Sequence, residues 1–372
     1  MAKPKVRVTK DAPANHQNKT LQILTVRLHK VWSHRWGRVA MVLLALCCLF
    51  AGISYGIARW YQQTQSGKPY KTGVTFIPYY AESFGLDPRE TLDAIIDDLG
   101  VRQFRLVSYW DKGEPEPGIY DFSELDWQFK RAEESGSKVS LAIGLRQPRW
   151  PECHAPSFYN TAQPSQNWQP ALERYMTATI KRYKHSPALE SYQLENEFFN
   201  RFGQCYNFDR GRLADELALV RKLDPDHPVI ISRSNNYAGF AIRQPRGDIS
   251  GISLYRRVWD TSITKRYFTY PFPSWHYAFL AGAQKIIAGQ ESVIHELQTE
   301  PWPPNGKNIT ETSLAEQNKS FDAARFRSTT KFAEQTGIRH IDLWGAEYWY
   351  YRKQVLKDPS VWNEAKTYFQ AK

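Results

Sequence analysis

Short apolar runs of strand length recur along the chain from residue 73 onward. They lie at 74–79, 103–108, 138–145, 189–196, 229–232, 249–255, 292–297 and 338–344. Between these runs, apolar residues recur at intervals of three and four, which is the spacing of an amphipathic helix. The clearest helix start is at Asp87, because a capping Asp is followed by Pro88 and then by Glu90.

The same spacing predicts seven helices between and after the strands. They lie at 87–99, 123–135, 172–183, 209–223, 275–288, 314–335 and 360–370, and a weak short stretch lies at 237–243. Strands that alternate with helices imply a parallel sheet. Eight such units predict a single closed (β/α)8 TIM barrel over residues 73–372. No Gly-x-Gly-x-x-Gly motif follows the first strand, so a dinucleotide-binding fold has no support.

One apolar run differs from the others, because residues 39–58 form 20 consecutive positions without a charge. A helix of this length spans ~30 Å, which is the thickness of a bilayer's hydrocarbon core. Aromatic residues flank the run, as at a membrane interface: Trp32, Trp36, Trp60 and Tyr61. We expect a transmembrane signal-anchor helix at 39–58. A cleaved signal peptide is the alternative, because Gly56-Ile57-Ala58 resembles a cleavage site.

The net charge of +11 comes mainly from the N-terminus. Residues 1–38 hold nine Lys/Arg and one acid, Asp11, so they carry +8 and the other 334 residues carry +3. The positive-inside rule makes this basic tail cytoplasmic and the domain after the span extracytoplasmic. Because the folded domain is nearly neutral, we expect no nucleic-acid partner. Residues 59–72 are polar, and we expect them to form a linker.

Two of the four cysteines lie in the predicted barrel. Cys153 and Cys205 fall in loops that follow consecutive predicted strands. A disulfide between them is expected in an oxidising compartment, and two free thiols are the alternative. No Cys-x-x-Cys or His-x-x-x-His spacing accompanies them, so we expect no metal site. No organic cofactor is implied either.

Two predicted strands end in acidic residues. Glu195 and Glu197 close the strand at 189–196, and Glu296 lies in the strand at 292–297. A carboxylate at the end of a buried strand is costly unless it is used. In a barrel the fourth and seventh strands face each other, so their acids could form the carboxylate pair that breaks glycosidic bonds. Glu195 and Glu197 share a face of their strand, so spacing does not separate them.

The strand at 292–297 has a second acidic candidate. Glu300 competes with Glu296, but it lies beyond the apolar run and directly before Pro301.

Several motifs resemble those of clan A glycoside hydrolases, which include β-galactosidase-like and cellulase-like barrels. Asn196-Glu197 resembles the clan's Asn-Glu pair after the fourth strand, where the Glu is the acid/base. Glu296 resembles the nucleophile of the seventh strand. The resemblance therefore assigns catalytic roles to Glu197 and Glu296, and a sugar-binding role to Asn196.

Three further positions carry the same resemblance. Arg105 resembles the second-strand Arg that hydrogen-bonds the nucleophile. Tyr255 stands where the clan often has a Tyr that contacts the nucleophile, and Trp344 resembles the eighth-strand Trp beneath the sugar. Residues 110–122 are similar to the Trp…Glu-Pro-x-Pro-Gly-x-Tyr-Asp-Phe signature of several member families.

These observations predict a membrane-anchored, extracytoplasmic glycoside hydrolase. The resemblance implies a retaining, double-displacement mechanism on a β-linked glycoside or polysaccharide. Transglycosylation would use the same two carboxylates. The alternative function is a barrel without catalysis that binds carbohydrate or serves as a cell-envelope scaffold. The expected partners are a carbohydrate and, through residues 39–58, a membrane.

Overall fold

The computed structural model of the protein describes residues 34–234 and 245–371. The helical stretch predicted at 237–243 lies outside these residues, as does most of the basic tail. The chain divides into two compact units, Met1–Gly56 and Ile57–Lys372.

The first described element is a helix, α1, at Arg35–Gln65. Its length and composition would allow it to cross a membrane, although a signal sequence near the N-terminus would pass the same test. The helix continues beyond the predicted span, so the expected linker at 59–72 is helical as far as Gln65.

The last turns of α1 belong to the second unit. Ala58 and Tyr61 are buried there. A Cβ added at Gly282 would lie 2.9 Å from the side chain of Ile57, so this glycine gives the helix room to approach.

Eight parallel strands close into a barrel, which confirms the predicted fold. The order around the barrel is β1-β2-β3-β4-β5-β6-β9-β10, and β10 pairs with β1. The strands are β1 Lys71–Thr75, β2 Gln103–Val107, β3 Lys138–Ile143, β4 Leu189–Leu194, β5 Val229–Arg233, β6 Ile249–Leu254, β9 Glu291–Gln298 and β10 His340–Trp344. A separate hairpin, β7 Arg257–Trp259 and β8 Tyr267–Thr269, follows β6 and was not predicted.

Helices surround the barrel. Their bounds are α2 Pro78–Ser83, α3 Pro88–Asp97, α4 Trp110–Gly113, α5 Ser123–Glu134, α6 Gln169–Tyr183, α7 Arg210–Leu223, α8 Ser274–Ala288, α9 Leu314–Gln317, α10 Ala323–Glu334, α11 Ala346–Gln354 and α12 Ser360–Gln370. The predicted cap of α3 is present, because the side chain of Asp87 accepts a hydrogen bond from the backbone N–H of Glu90 at 2.9 Å.

Two predicted elements differ from the structure. The strand expected at 74–79 lies earlier, because Pro78 begins α2 and its fixed φ suits the first turn of a helix. The helix expected at 314–335 is two helices, because the chain breaks after Gln317 and Asp322 caps a new start by accepting from the N–H of Arg325 at 2.8 Å.

Candidate active site

Polar side chains gather at the carboxyl ends of the barrel strands, which share one face of the molecule. Arg105 lies on β2, Glu197 shortly after β4, Tyr255 directly after β6, Glu296 on β9, and Trp344 at the end of β10. All are buried except Tyr255, which is half-buried. Charged groups in such positions need partners or a use.

Glu296 is held from two sides. Arg105 Nη2 donates to its Oε1 at 2.7 Å, and the Tyr255 hydroxyl donates to its Oε2 at 2.7 Å. Arg105 also donates from Nη1 to the carbonyl of His295 at 2.8 Å. The guanidinium therefore stabilises the ionised carboxylate and fixes its direction. Burial and the charge of Glu296 raise the pKa of Tyr255 well above its ordinary value, so this phenol is a hydrogen-bond donor.

A bulge in β9 determines how Glu296 is presented. Ile252 and Ser253 are consecutive residues of β6, and they pair with Ile294 and Glu296 of β9. The strand β9 therefore has one extra residue between these two pairs. The register with β10 shifts over the same stretch. Bulges re-aim side chains and are common beside active sites. The extra residue at His295–Glu296 could not be read from the alternation of the sequence.

Glu197 has a different environment. Its backbone has a φ of 44°, its N–H donates to Ser232 Oγ at 3.0 Å, and its Oε1 is buried without a hydrogen-bond partner among the described residues. Burial and then the charge of Glu296 raise the pKa of Glu197 to about 7, against smaller opposing effects of the Ser253 and Ser234 hydroxyls. Near neutral pH this carboxyl group therefore holds a proton that it could donate.

Glu195, the other acid after β4, is fully engaged. Its two oxygens each lie 3.0 Å from the guanidinium of Arg212, and they also accept the backbone N–H groups of Leu145 and Arg146. Arg212 also pairs with Glu216. This buried network ties β3, β4 and α7 together and leaves Glu195 no oxygen free of a protein partner.

Both carboxylate oxygens of Glu300 likewise accept hydrogen bonds from the protein. Arg149 Nη1 and Nη2 donate to its two oxygens at 2.6 and 2.9 Å. Trp344 Nε1 donates to Oε1 at 2.8 Å, and the Tyr80 hydroxyl donates to Oε2 at 3.0 Å. The Arg149 guanidinium is stacked between the rings of Tyr80 and Trp344, at 3.3 and 4.1 Å from their centroids. Glu300 therefore orients the indole of Trp344.

Another buried acid, Glu152, interacts electrostatically with Glu197 and Glu296. Its Oε2 accepts from Asn196 Nδ2 at 3.2 Å and is 3.7 Å from Arg146 Nη2. Burial raises the pKa of Glu152 well above its ordinary value, Arg146 opposes this, and the charges of Glu197 and Glu296 add to it. Asn196 is thus oriented by Glu152, to which its amide N–H donates.

The loops after β3 and β4 are joined by a disulfide between Cys153 and Cys205, whose Cα atoms are 5.3 Å apart. These loops also concentrate backbone strain. Arg149, Glu152, Glu195 and Glu197 all have positive φ, at 83°, 75°, 57° and 44°. Such conformations cost free energy and occur often where function requires a particular side-chain direction.

Residues 110–122, which resemble the signature of several member families, are held in place by buried hydrogen bonds. Trp110 Nε1 donates to Glu114 Oε2, and Glu114 Oε1 accepts from the N–H of Gly118 at 2.8 Å and from the Tyr159 hydroxyl at 3.1 Å. No contact with Glu197 or Glu296 is seen for this acid in the described residues. Its role is to hold the loop after β2.

Aromatic residues remain accessible around the acids. Trp302 is 42% exposed, and its ring meets that of Tyr255 edge to face with 5.5 Å between centroids. Trp150, next to Arg149, is 65% exposed. Exposed flat rings beside a buried carboxylate pair could stack on sugar rings. In residues 34–234 and 245–371, no three His, Cys, Asp or Glu side chains are grouped as a metal site.

Sequence reasoning missed Arg149 and Glu152 as site residues. Both lie in a Pro148-Arg149-Trp150-Pro151-Glu152 segment that follows the third strand. Charged residues between prolines, directly after a predicted barrel strand, were the available signal, because such loops form the active face of the barrel.

A family model described as beta-galactosidase (Glyco_hydro_42) matches residues 79–212. This range is about a third of the chain. It includes Arg105, Asn196 and Glu197 but not Glu296.

Solved structures of similar fold are glycosidases. A beta-galactosidase from the psychrophilic Marinomonas ef1 matches with a TM-score of 0.55 and 14% identity, over 81% of this chain and 59% of that one. The exo-beta-1,4-mannosidase Op5Man5 from Opitutaceae bacterium strain TAV5 matches with a TM-score of 0.51 and 14% identity, over 81% and 59%. Endo-glycoceramidase II from Rhodococcus sp. matches with a TM-score of 0.47 and 16% identity, over 74% and 73%.

The chain thus spans little more than half the length of the first two of these structures. The resemblance to clan A glycoside hydrolases is confirmed, and no member family is assigned. The family match agrees with the expected glycoside hydrolase activity, and the solved structures support the barrel fold.

Proposed function

We propose that this protein is a retaining glycoside hydrolase in which Glu296 is the nucleophile and Glu197 the acid/base. The observation that carries the proposal is the contrast between the two carboxyl groups. Glu296 is paired with Arg105 at 2.7 Å, whereas burial and the charge of Glu296 raise the pKa of Glu197 to about 7. A carboxylate held by an arginine, beside a second carboxyl group that binds a proton near neutral pH, is suited to double displacement.

In the first step, Glu197 donates its proton to the leaving glycosidic oxygen while Glu296 attacks the anomeric carbon. The bond to the leaving group breaks, and a covalent ester to Glu296 forms. In the second step, Glu197 takes a proton from water, and the resulting hydroxide equivalent displaces Glu296. Asn196 would contact the sugar 2-hydroxyl, and Trp344 would lie beneath the ring.

The engagement of the competing acids supports this assignment. Glu195 is bound by Arg212, and Glu300 by Arg149 and Trp344. Neither is free to act as acid or nucleophile without breaking a buried ion pair, which costs about 3–5 kcal/mol.

We also propose that the barrel is extracytoplasmic and anchored by α1. The apolar run, the basic residues before it and the disulfide support this location. Cleavage after Ala58 would cut the helix at a residue that is buried against the barrel, which favours an uncleaved anchor over a signal peptide. Sequencing the N-terminus of the protein purified from membranes tests this, because a start at Arg59 would refute the anchor.

The proposed substrate is a β-linked glycoside. A panel of 2-deoxy-2-fluoro glycosides with good leaving groups should trap the intermediate, and peptide mass analysis should find the label on Glu296. The variant Glu296→Gln should take up no label, and Glu300→Gln is the matched control that keeps Glu296. Label on Glu300, or no covalent adduct with any substrate that the enzyme turns over, would refute the proposed roles.

A further inference from the structure

A cavity lies on the flank of the barrel, and neither Glu197 nor Glu296 is among the residues that line it. It has a volume of about 340 Å³ and opens between the segment after β6 and helix α10. We call it the flank cavity. Four cationic side chains line it, and its lining includes no carboxylate: Arg256, Arg257, Arg325 and Lys331.

These cations differ from other surface arginines of the protein. Arg131 and Arg182 each pair with a carboxylate at 2.7 Å or less. Among the described residues, no ion pair involves any of the four cations of the flank cavity. Acids on the neighbouring segments are engaged elsewhere, because Glu316 pairs with Lys319 and Asp322 caps α10.

One guanidinium donor of the flank cavity has no partner, and a neighbouring guanidinium is fixed in place. Arg325 Nε is buried and has no hydrogen-bond partner among the described residues. Arg257 is fixed by bonds from Nε to the carbonyl of Lys319 at 2.8 Å and from Nη1 to Thr269 Oγ1 at 2.9 Å. Burial and then the charge of Arg325 lower the pKa of Arg257, with a smaller opposing effect of Tyr267.

The cavity wall is also rigid. Arg256 stacks on Phe332 at 3.8 Å and donates to the carbonyl of Phe272 at 3.0 Å. Gln298 Oε1 accepts the backbone N–H groups of Arg256 and Arg257 at 2.7 and 2.9 Å. Cations held close together by packing and backbone bonds are preorganised for an anion, because they need no rearrangement to bind it.

We propose that the flank cavity binds a phosphate group. Planar guanidinium forks match the oxygens of a phosphate, and a multiply charged oxyanion would relieve the repulsion within the cluster. The group could come from a lipid headgroup or from free phosphate. This proposal does not depend on glycosidase activity.

The test uses the full chain in a neutral detergent and isothermal titration calorimetry with inorganic phosphate. The double variant Arg325→Gln plus Lys331→Ala removes two cavity charges whose side chains make no hydrogen bond to other described residues, so the fold should persist. Binding should weaken at least about tenfold, because the variant removes two charged donors to the anion. The control Lys181→Ala plus Lys222→Ala removes two exposed charges elsewhere and should bind as the wild type does.

A second arm identifies the source of the phosphate. The full chain is placed in nanodiscs of phosphatidylcholine with or without phosphatidylglycerol, and the phosphate titration is repeated. Loss of calorimetric binding only in the discs that contain phosphatidylglycerol would show that a headgroup occupies the cavity. Unchanged binding would support free phosphate as the ligand. No phosphate binding to the wild type, or equal binding to the cavity and control variants, would overturn the proposal.

Discussion

The variant Glu197→Gln tests the proposed acid through stability as well as through activity. In the folded protein the pKa of Glu197 is raised from 4.5 to about 7. Because the folded state binds this proton more tightly than the unfolded state does, its stabilising effect is complete below about pH 4.5 and is lost as the pH rises through about 7. At 1.36 kcal/mol per pKa unit, the difference is about 3 kcal/mol.

Gln is neutral at every pH and has a shape similar to that of Glu. The variant therefore does not lose stability through ionisation at position 197 as the pH rises. Between pH 5 and pH 8 the wild type should lose about 2.5 kcal/mol more of its free energy of unfolding than Glu197→Gln does. For a unit of this size the melting temperatures should diverge by about 4 °C. Glu347, another buried acid with a raised pKa, contributes with the same sign in both proteins and cancels in the comparison.

The assay is thermal unfolding in detergent at several pH values, together with kcat/KM for an aryl glycoside. Glu197→Gln should lose about 10²- to 10⁴-fold in rate, and the alkaline limb of the wild-type pH profile near pH 7 should disappear. Glu82→Gln, at an exposed carboxylate, is the control and should change neither measurement. Parallel stability curves for the wild type and Glu197→Gln would refute the reasoning, even if activity fell.

Three further substitutions have distinct expected outcomes. Arg149→Ala should destabilise the fold by about 3–5 kcal/mol in denaturant unfolding, because it leaves Glu300 buried without its partner, and a loss below about 1 kcal/mol would contradict the buried pair. Glu195→Gln should lower the melting temperature by weakening the pair with Arg212 but retain the alkaline limb of the pH profile; loss of that limb would mean that Glu195 is the acid. Cys153→Ser should cost about 4 kcal/mol, because the disulfide closes a separation of 52 residues, and unchanged unfolding would show that the bridge does not form in the protein.

The barrel and most of its elements were predictable because their signals are local. Strand runs, helical spacing and the cap at Asp87 depend on residues a few positions apart, and the structure places β4, β5 and α8 within two residues of their predicted bounds. The hairpin β7–β8 was not predictable in this way, because its strands are three residues each and half-exposed, so they lack a clear alternation.

The site was predictable only in part, because its contacts join distant segments. The sequence indicated which strands end in acids, but Arg149 and Glu300 are 151 positions apart and meet only when the barrel closes. The choice between Glu195 and Glu197 could not be made from the sequence for a separate, local reason. β4 ends at Leu194, and both acids then adopt left-handed backbone, so strand alternation does not apply to them.

The contact of α1 with Gly282 has a practical consequence for work on soluble fragments. Tyr61 is 1% exposed and Ala58 is fully buried, so the last two turns of the helix cover apolar surface of the second unit. A fragment that starts at Gly73, where the sequence predicts that the barrel begins, would leave this apolar surface open to water and prone to self-association. A fragment that starts at Ile57 would retain the cover and omit the apolar stretch before it.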